Sequence, residues 1–284
     1  MLKIGFIGAG TVGTALAVRL SEKGYPVVAV ASRTRASAER LAARVDGCHV
    51  SETAQEVPGV AELVFITTPD DAIVTVANQV DWPSGVKVIH CSGAHSLDVL
   101  DSATKRGAMP GAFHPLQTFA SVDHAIGNIP GSTFGIEADE PLVSDLKEMA
   151  SALEGRVVVL KGSDKVLYHA AAVMACNYMV TLTKLATDLW QTFGVSTSEA
   201  TQALLPLMQG TVNNLKNVGL PKCLTGPVAR GDLGTIRKHL EALEATSPEL
   251  LAAYRQLGRY TVPIALAKGT ITEERARELK DLFG

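Results

Sequence analysis

The stretch Lys3-Ile4-Gly5-Phe6-Ile7-Gly8-Ala9-Gly10-Thr11-Val12-Gly13 decides the fold of this 284-residue chain. Residues 2–7 form an apolar run typical of a buried strand, and residues 12–21 have the apolar spacing of a helix. A second apolar run, Val27–Ala31, completes a βαβ unit. The glycines fit a strand-to-helix turn whose backbone N–H groups face a pyrophosphate. We therefore predict a dinucleotide site at Gly8, Ala9, Gly10, Thr11, Val12 and Gly13.

The residues after the second strand favour NADP as the dinucleotide. A site for NAD usually places an acidic residue there, to accept hydrogen bonds from the ribose hydroxyls. This chain instead has Ser32, Arg33 and Thr34, and no carboxylate lies between Glu22 and Glu39. Hydroxyls and a guanidinium suit a dianionic 2′-phosphate. The alternative is that the arginines of this loop are only solvated surface charges.

Composition narrows the class of protein. With 46% hydrophobic and 19% charged residues the chain is globular, and a net charge of −3 gives no basic field for nucleic acid or an anionic membrane. We expect a small-molecule substrate. The four cysteines are widely spaced, which argues against a disulfide framework. The longest apolar runs, such as Ala170–Cys176, are too short for a membrane span, and no leader precedes the first strand, so we expect a cytoplasmic protein.

The pattern divides the chain into two regions. From residue 1 to about residue 160, short apolar strands alternate with helices, which predicts an α/β fold with a doubly wound, largely parallel sheet. Beyond it we find only helices, the first running from about Lys165 to Phe193. We predict a Rossmann-like domain over residues 1–162 and an all-helical domain over residues 163–284, for substrate binding and dimerisation.

Residues that follow strands of an open α/β sheet meet at one edge, where ligands bind. Thr67, Thr68 and Pro69 follow one strand, and we expect them to line the ribose and nicotinamide. Ser92 with Gly93, and His114, follow two later strands; there they would orient a substrate carboxylate or carbonyl. A structural role for His114 is equally compatible with the sequence.

The first long helix carries polar residues in an apolar run. Lys165 and His169 are one turn apart, and His169 and Asn177 lie within about 80° around the helix, so all three can face one cleft. An imidazole can supply the proton that a reduced carbonyl or imine needs. We expect His169, or else Lys165, to donate it.

Two further features complete the candidate site. Arg230 can clamp a carboxylate, although a surface role is equally compatible with its position, and the nearby Asp232 is expected to be a helix N-cap. We expect no metal, because His90 and Cys91 are adjacent on a strand and point to opposite faces.

Longer motifs give the chain a family resemblance. The motifs are Gly8-Ala9-Gly10-x-x-Gly13, His90-Cys91-Ser92-Gly93-Ala94, Phe113-His114-Pro115-Leu116-Gln117-Thr118-Phe119, Tyr168-His169-Ala170-Ala171-Ala172 and Leu224-Thr225-Gly226-Pro227-x-x-Arg230-Gly231-Asp232. Together they resemble Rossmann-like oxidoreductases with a C-terminal helical domain of unknown function. That family is similar to the 6-phosphogluconate dehydrogenase-type superfamily, which includes pyrroline-5-carboxylate reductase and ketopantoate reductase, and some members are implied to be alternative ketopantoate reductases.

The resemblance implies a reductase and a homodimer. In the superfamily a lysine on the first long helix is followed by asparagines one and two turns later; here His169, Val173 and Asn177 occupy those positions. We expect an NADPH-dependent reductase of a small 2-oxo acid, with 2-dehydropantoate (ketopantoate) reduced to pantoate as the best single candidate. His169 would protonate the oxygen and Asn177 would orient it. The alternatives are an imine reductase of the pyrroline-5-carboxylate reductase type and an NADP-binding sensor without turnover.

Overall fold

The protein was described from a computed structural model that covers all 284 residues. Its N-terminal part contains an eight-stranded sheet. The strands are β1 (Ile4–Ile7), β2 (Val27–Ala31), β3 (His49–Val50), β4 (Leu63–Ile66), β5 (Lys87–His90), β6 (Met109–Leu116), β7 (Thr133–Ala138) and β8 (Arg156–Val159). They lie in the order β3-β2-β1-β4-β5-β6-β7-β8, and only β6 and β7 pair antiparallel. The predicted α/β fold with a largely parallel sheet is confirmed.

Helices follow most of the strands and make up the rest of the chain. In the sheet region they are α1 (Thr11–Glu22), α2 (Arg35–Ala42), α3 (Asp70–Gln79), α4 (Asp101–Lys105), α5 (Val122–Asn128), α6 (Leu142–Ala152) and α7 (Lys165–Ala175). Beyond it are α8 (Asn177–Gln191), α9 (Thr197–Asn217), α10 (Pro227–Arg230), α11 (Leu233–Thr246), α12 (Pro248–Lys268) and α13 (Glu273–Phe283).

The central strands are buried on both faces, which explains their unbroken apolar sequences. All four residues of β1 and of β4 are buried, as expected for parallel strands covered by helices on each side. On one face, phenylalanine rings form a row across the sheet, with neighbouring centroids 4.4–6.0 Å apart: Phe6, Phe65, Phe113 and Phe134. A second apolar cluster, which includes Ile66 and Val88, fills the opposite face.

The first long helix is shorter than its sequence predicted. We expected one helix from Lys165 to Phe193, but it is interrupted at Cys176, whose φ of −112° departs from helical geometry, so that α7 and α8 are separate. Packing contacts divide the chain into a unit of residues 1–177 and a unit of residues 178–284. Strands do give way to helices near residue 162, as predicted, but α7 packs with the sheet.

The second unit has a core of its own. Ile236, Leu240, Val262, Leu279 and Phe283 are buried together between α11, α12 and α13. The N-cap expected at Asp232 is present, since Asp232 accepts a hydrogen bond from the backbone N–H of Thr235. Ser196 caps α9 in the same way, through the backbone N–H of Glu199.

One helical stretch, residues 162–191, is long and apolar enough to cross a membrane by length and composition, with a mean hydropathy of 1.3 over an 18-residue window. That window contains no buried residue, whereas Lys165 and Thr187, elsewhere in the stretch, are buried. Our expectation that every apolar stretch falls well short of a span was therefore too strong. The interruption at Cys176 lies in the middle of this stretch.

Candidate active site

The glycine-rich loop lies where the order of the strands reverses, between β1 and β4. Gly8 has a φ of +108°, and a Cβ on it would lie 2.7 Å from the carbonyl carbon of Thr67. The hydroxyl of Thr67 donates to the carbonyl oxygen of Gly8 at 2.7 Å. Only glycine fits at residue 8, because both the backbone conformation and the space exclude a side chain. The loop is thus held against the end of β4, at the usual ligand crevice of such sheets.

The space in front of this loop fits a dinucleotide. No atom lies within 4 Å of where a Cβ on Gly10 would stand, so the backbone is open to a ligand at the N-terminus of α1. The first turn of α1 has no acidic residue that would repel a pyrophosphate. The hydroxyl of Thr68 is buried without a partner at the same edge. The predicted residues Gly8 to Gly13 and Thr67 to Pro69 are therefore brought together around one open edge.

The two arginines in the loop after β2, Arg33 and Arg35, differ in their contacts. The Arg35 side chain is bound to Glu39 at 2.9 Å and to Glu52 at 2.5 Å, so its charge is already neutralised. The guanidinium of Arg33 makes no such contact and is exposed. Of the basic residues in this loop, Arg33 is thus available to a ligand, together with the neighbouring Ser32 and Thr34.

The turn after β5 is locked by polar contacts. The hydroxyl of Ser92 donates to the carboxylate of Asp70 at 2.6 Å and accepts hydrogen bonds from the N–H groups of Ala94 and His95. This network joins the ends of β4 and β5. Ser92 is buried, and its hydroxyl stabilises the turn through these hydrogen bonds. The backbone of Gly93 continues from this turn towards His114 and His169.

Lys165 lies beneath that turn. It is fully buried, and its Nζ donates to the carbonyl oxygen of Ser92 at 2.9 Å. Burial lowers the pKa of Lys165, while the nearby carboxylate of Glu137 favours its charged form. Lys165 does not line the cavity described next, so the structure separates it from His169, with which we had grouped it.

A cavity of about 570 Å³ in the first unit is lined by three of the residues predicted for catalysis and substrate binding. His114, His169 and Asn177 line it. The remaining lining residues are Leu116, Gln117, Thr118, Phe119, Tyr168, Ala171, Ala172, Val173, Ala175 and Cys176. The cavity thus has imidazole and amide groups on a wall of small apolar side chains, and no lysine or arginine lines it.

His114 lies inside β6, where we had expected it to follow the strand. The strand continues through Pro115 to Leu116, because β7 pairs with it in antiparallel register and His114 stands opposite Gly135. Burial lowers the pKa of His114 to about 4, and the charges of Lys165 and His169 act in the same direction. The imidazole is therefore neutral near pH 7.

His114 has one hydrogen-bond partner, Tyr168. Its Nδ1 lies 2.9 Å from the tyrosine hydroxyl, and the two rings meet edge to face. Its other edge faces Gly93, on which a Cβ would lie 2.9 Å from Nε2 of His114 and 2.7 Å from Cδ2 of His169. The two imidazoles, with ring centroids 6.3 Å apart, thus flank one glycine.

Arg230 lies in a separate pocket, within the second unit. Its lining includes Thr225, Gly226, Arg230 and Lys268, and the Nζ of Lys268 is held by the carbonyl oxygen of Leu224 at 2.6 Å. The neighbouring Asp232 caps α11, as expected. The role of Arg230 in substrate binding stays a prediction.

Two residues of the site were missed by reasoning from the sequence. The position of Tyr168 directly before His169 indicates that it lies near the site, but the sequence does not show its contact with His114, which is distant in the chain. Nothing in the sequence indicates the role of Gly135, because that role depends on the register of β6 against β7.

Two families match parts of the chain. Residues 1–115 match the Rossmann-like domain, and residues 132–261 match a domain of unknown function, DUF2520. The first match includes His114 and the second includes Tyr168, His169 and Asn177. No curated protein matches the chain.

Solved structures resemble the protein over nearly its whole length. A Bacteroides fragilis protein whose suggested function is NADP oxidoreductase is 28% identical, with a TM-score of 0.73 over 92% of this chain and 97% of that one. A reductive aminase from Aspergillus terreus in complex with NADPH and ethyl-5-oxohexanoate is 18% identical, with a TM-score of 0.62 over 100% and 92%. A pyrroline-5-carboxylate reductase from Coxiella burnetii is 16% identical, with a TM-score of 0.62 over 99% and 98%. The last two share the fold. The chain is thus similar to a Rossmann-like domain over residues 1–115 and to DUF2520 over residues 132–261.

Proposed function

We propose that the protein is an NADPH-dependent reductase of small carbonyl or imine compounds. The observation that carries the proposal is the cavity lined by His114, His169 and Asn177, with the two imidazoles on either side of Gly93. Two imidazoles and an amide, set on an apolar wall, supply the donors that a C=O or C=N group needs while it is reduced.

NADPH is the cofactor that fits the first unit. The open backbone at Gly10 would receive the pyrophosphate at the start of α1, and Ser32, Arg33 and Thr34 would bind the 2′-phosphate. Thr67, Thr68 and Pro69 would line the ribose and nicotinamide. The Bacteroides relative, with its suggested NADP oxidoreductase function, and the NADPH bound to the Aspergillus enzyme support this choice.

The substrate we favour is a small 2-oxo acid, with ketopantoate as the best single candidate. When bound, NADPH supplies a hydride to the carbonyl carbon. His169 then gives a proton to the oxygen, which becomes a hydroxyl, and Asn177 orients that oxygen by a hydrogen bond. The backbone N–H of Gly93 would bind the carboxylate of the substrate.

Imine reduction is the second candidate, and one observation favours it. No lysine or arginine lines the cavity, whereas its wall is built from the small apolar residues Ala171, Ala172, Val173 and Ala175. Such a wall accommodates an uncharged ring as well as it does the arm of an oxo acid. In this case the proton from His169 would go to the imine nitrogen.

A panel of 2-oxo acids and cyclic imines, assayed by oxidation of NADPH, tests the proposal. We expect turnover with at least one of the two classes, and the preferred class decides between the candidates. Tight binding of NADPH without oxidation by any compound would contradict the enzyme and favour a sensor that binds NADP.

The variant His169→Ala tests the assignment of the proton donor. We expect unchanged affinity for NADPH in a fluorescence titration and a fall in kcat of about 10²-fold or more, because general acid catalysis contributes at least that much. His124→Ala, on an exposed turn of α5, is the matched control. An unchanged kcat in His169→Ala would move the proton to a water molecule or to Lys165.

We also propose that the protein is a homodimer in the cytoplasm. Of the 21 residues of α9 only Ala200 is buried, although the helix carries several large apolar side chains. Exposed ones include Leu205, Leu207, Val212 and Leu215. Large apolar side chains exposed on opposite sides of one helix are typical of a surface that another chain covers.

A further inference from the structure

The strongest unused feature of the site is the contact between Tyr168 and His114. The tyrosine hydroxyl lies 2.9 Å from Nδ1 of His114 and has no other hydrogen-bond partner in the structure. Nothing in the proposed reaction requires it.

A glycine in β7 leaves room for the ring of Tyr168 beside His114. Gly135 stands opposite His114 in the antiparallel β6–β7 pair. A Cβ on Gly135 would lie 2.8 Å from the hydroxyl oxygen of Tyr168 and 2.9 Å from Cζ, so any larger residue would push the ring away. The bare Cα of Gly135 thus leaves the space through which Tyr168, on α7, reaches His114.

The direction of the hydrogen bond follows from what each group can donate. Burial raises the pKa of Tyr168 to about 12 and lowers that of His114 to about 4, so near pH 7 the phenol keeps its proton and the imidazole has one N–H. If Nδ1 carried that proton, it would donate to the tyrosine oxygen, and the phenol proton would have no acceptor. If the phenol donates to Nδ1, the phenol proton has its acceptor, and the imidazole proton is on Nε2, at the ring edge that faces Gly93 and away from the tyrosine.

We infer that Tyr168 is a positioning residue, whose hydroxyl holds His114 as the Nε2–H tautomer and so makes it a hydrogen-bond donor towards the group being reduced. The inference rests on the proposed function for its last step. His114 keeps its proton throughout, whereas His169 gives its proton to the product. The two histidines on either side of Gly93 thus have different tasks, one as a fixed donor and one as an acid.

The tautomer is measured directly by ¹⁵N NMR of the histidine side chains in the full-length protein, because protonated and unprotonated ring nitrogens differ in chemical shift. The His114 signals are assigned by their loss in His114→Gln. We expect Nε2 to be protonated in the wild type and a mixture of tautomers in Tyr168→Phe. A protonated Nδ1 in the wild type, or an unchanged tautomer in Tyr168→Phe, would overturn the inference whether or not a substrate has been found.

Kinetics tests the consequence. In Tyr168→Phe we expect kcat to fall about tenfold or more with an unchanged KM for NADPH, since one orienting hydrogen bond is lost. Gly135→Ala should reproduce this loss, because it displaces the same ring. The matched control is Tyr254→Phe, which removes an equivalent hydrogen bond of 2.8 Å to Nδ1 of His239 in the second unit and should leave kcat unchanged. Equal kcat values in Tyr168→Phe and the wild type would overturn the inference.

Discussion

Arg33 and Arg35 differ in what surrounds them, and the difference predicts which of them selects the cofactor. Arg35 is held by Glu39 and Glu52, whereas Arg33 makes no ion pair. We expect Arg33→Ala to weaken NADPH binding by about 10- to 100-fold and to leave NADH binding unchanged, because a hydrogen bond to a charged group contributes about 1.5–3 kcal/mol. Arg35→Ala, the control, should change the ratio of the two affinities by less than threefold or so. An NADH-preferring wild type would contradict the assignment.

The buried imidazole of His114 predicts a pH dependence of stability. Its pKa is about 4 in the folded protein, because of burial and the charges of Lys165 and His169, with Asp70 acting in the opposite direction. In the unfolded chain a histidine titrates near its ordinary pKa of about 6.5. Between these values the unfolded state binds more protons, so the free energy of unfolding falls as the pH falls from about 6.5 to about 4.

The size of this effect follows from the shift of the pKa. One pKa unit corresponds to about 1.4 kcal/mol, so His114 changes the free energy of unfolding by on the order of 3 kcal/mol between pH 6.5 and pH 4. Urea denaturation of the wild type and of His114→Gln at several pH values measures it, and the variant should show the shallower dependence. His124→Gln, at an exposed position, should keep the wild-type slope. Parallel curves for wild type and His114→Gln would contradict the prediction.

At the scale of the element, two glycines of the glycine-rich loop have different roles: Gly8 is needed for the fold and Gly10 for binding the cofactor. A Cβ on Gly8 would meet the backbone of Thr67 at a positive φ, whereas a Cβ on Gly10 would meet nothing. We expect Gly8→Ala to lower the melting temperature, since both strain and overlap arise. Gly10→Ala should keep the melting temperature but lose affinity for NADPH by about tenfold or more, because its methyl group occupies the place of the pyrophosphate. Thermal unfolding and cofactor titration together check both outcomes.

Elements with local signals were predictable from the sequence, and elements set by distant contacts were not. Strand β2 has the predicted bounds because an apolar run marks its ends, and α11 begins after the predicted cap Asp232. The break at Cys176 has no glycine or proline to announce it. Likewise β6 runs through Pro115, where a proline would ordinarily end a strand, because β7 pairs with it there. That pairing places His114 inside a strand and opposite Gly135.

At the scale of the molecule, the sequence predicted which three residues share a cavity but not the position of a fourth. His114, His169 and Asn177 were named from strand ends and helix spacing, and they line one cavity. Lys165 was grouped with them because helical spacing gives the angle around an axis but not what lies beyond it. The burial of Lys165 beneath Ser92 depends on the turn after β5, which the helix pattern does not describe.

The exposed apolar side chains of α9 predict a dimer that a single charge disrupts. Leu207 is 67% exposed and Leu205 is 53% exposed, so neither contributes much to the fold of one chain. We expect the wild type to have the mass of two chains in light scattering without detergent, because pairing removes these side chains from water. Leu207→Glu should give the mass of one chain with an unchanged far-UV circular dichroism spectrum, since burying an unpaired carboxylate is costly. Val60→Glu, at a position 55% exposed in the first unit, should leave the dimer intact. A monomeric wild type, or a wild type recovered only in the membrane fraction, would contradict the proposal of a cytoplasmic homodimer.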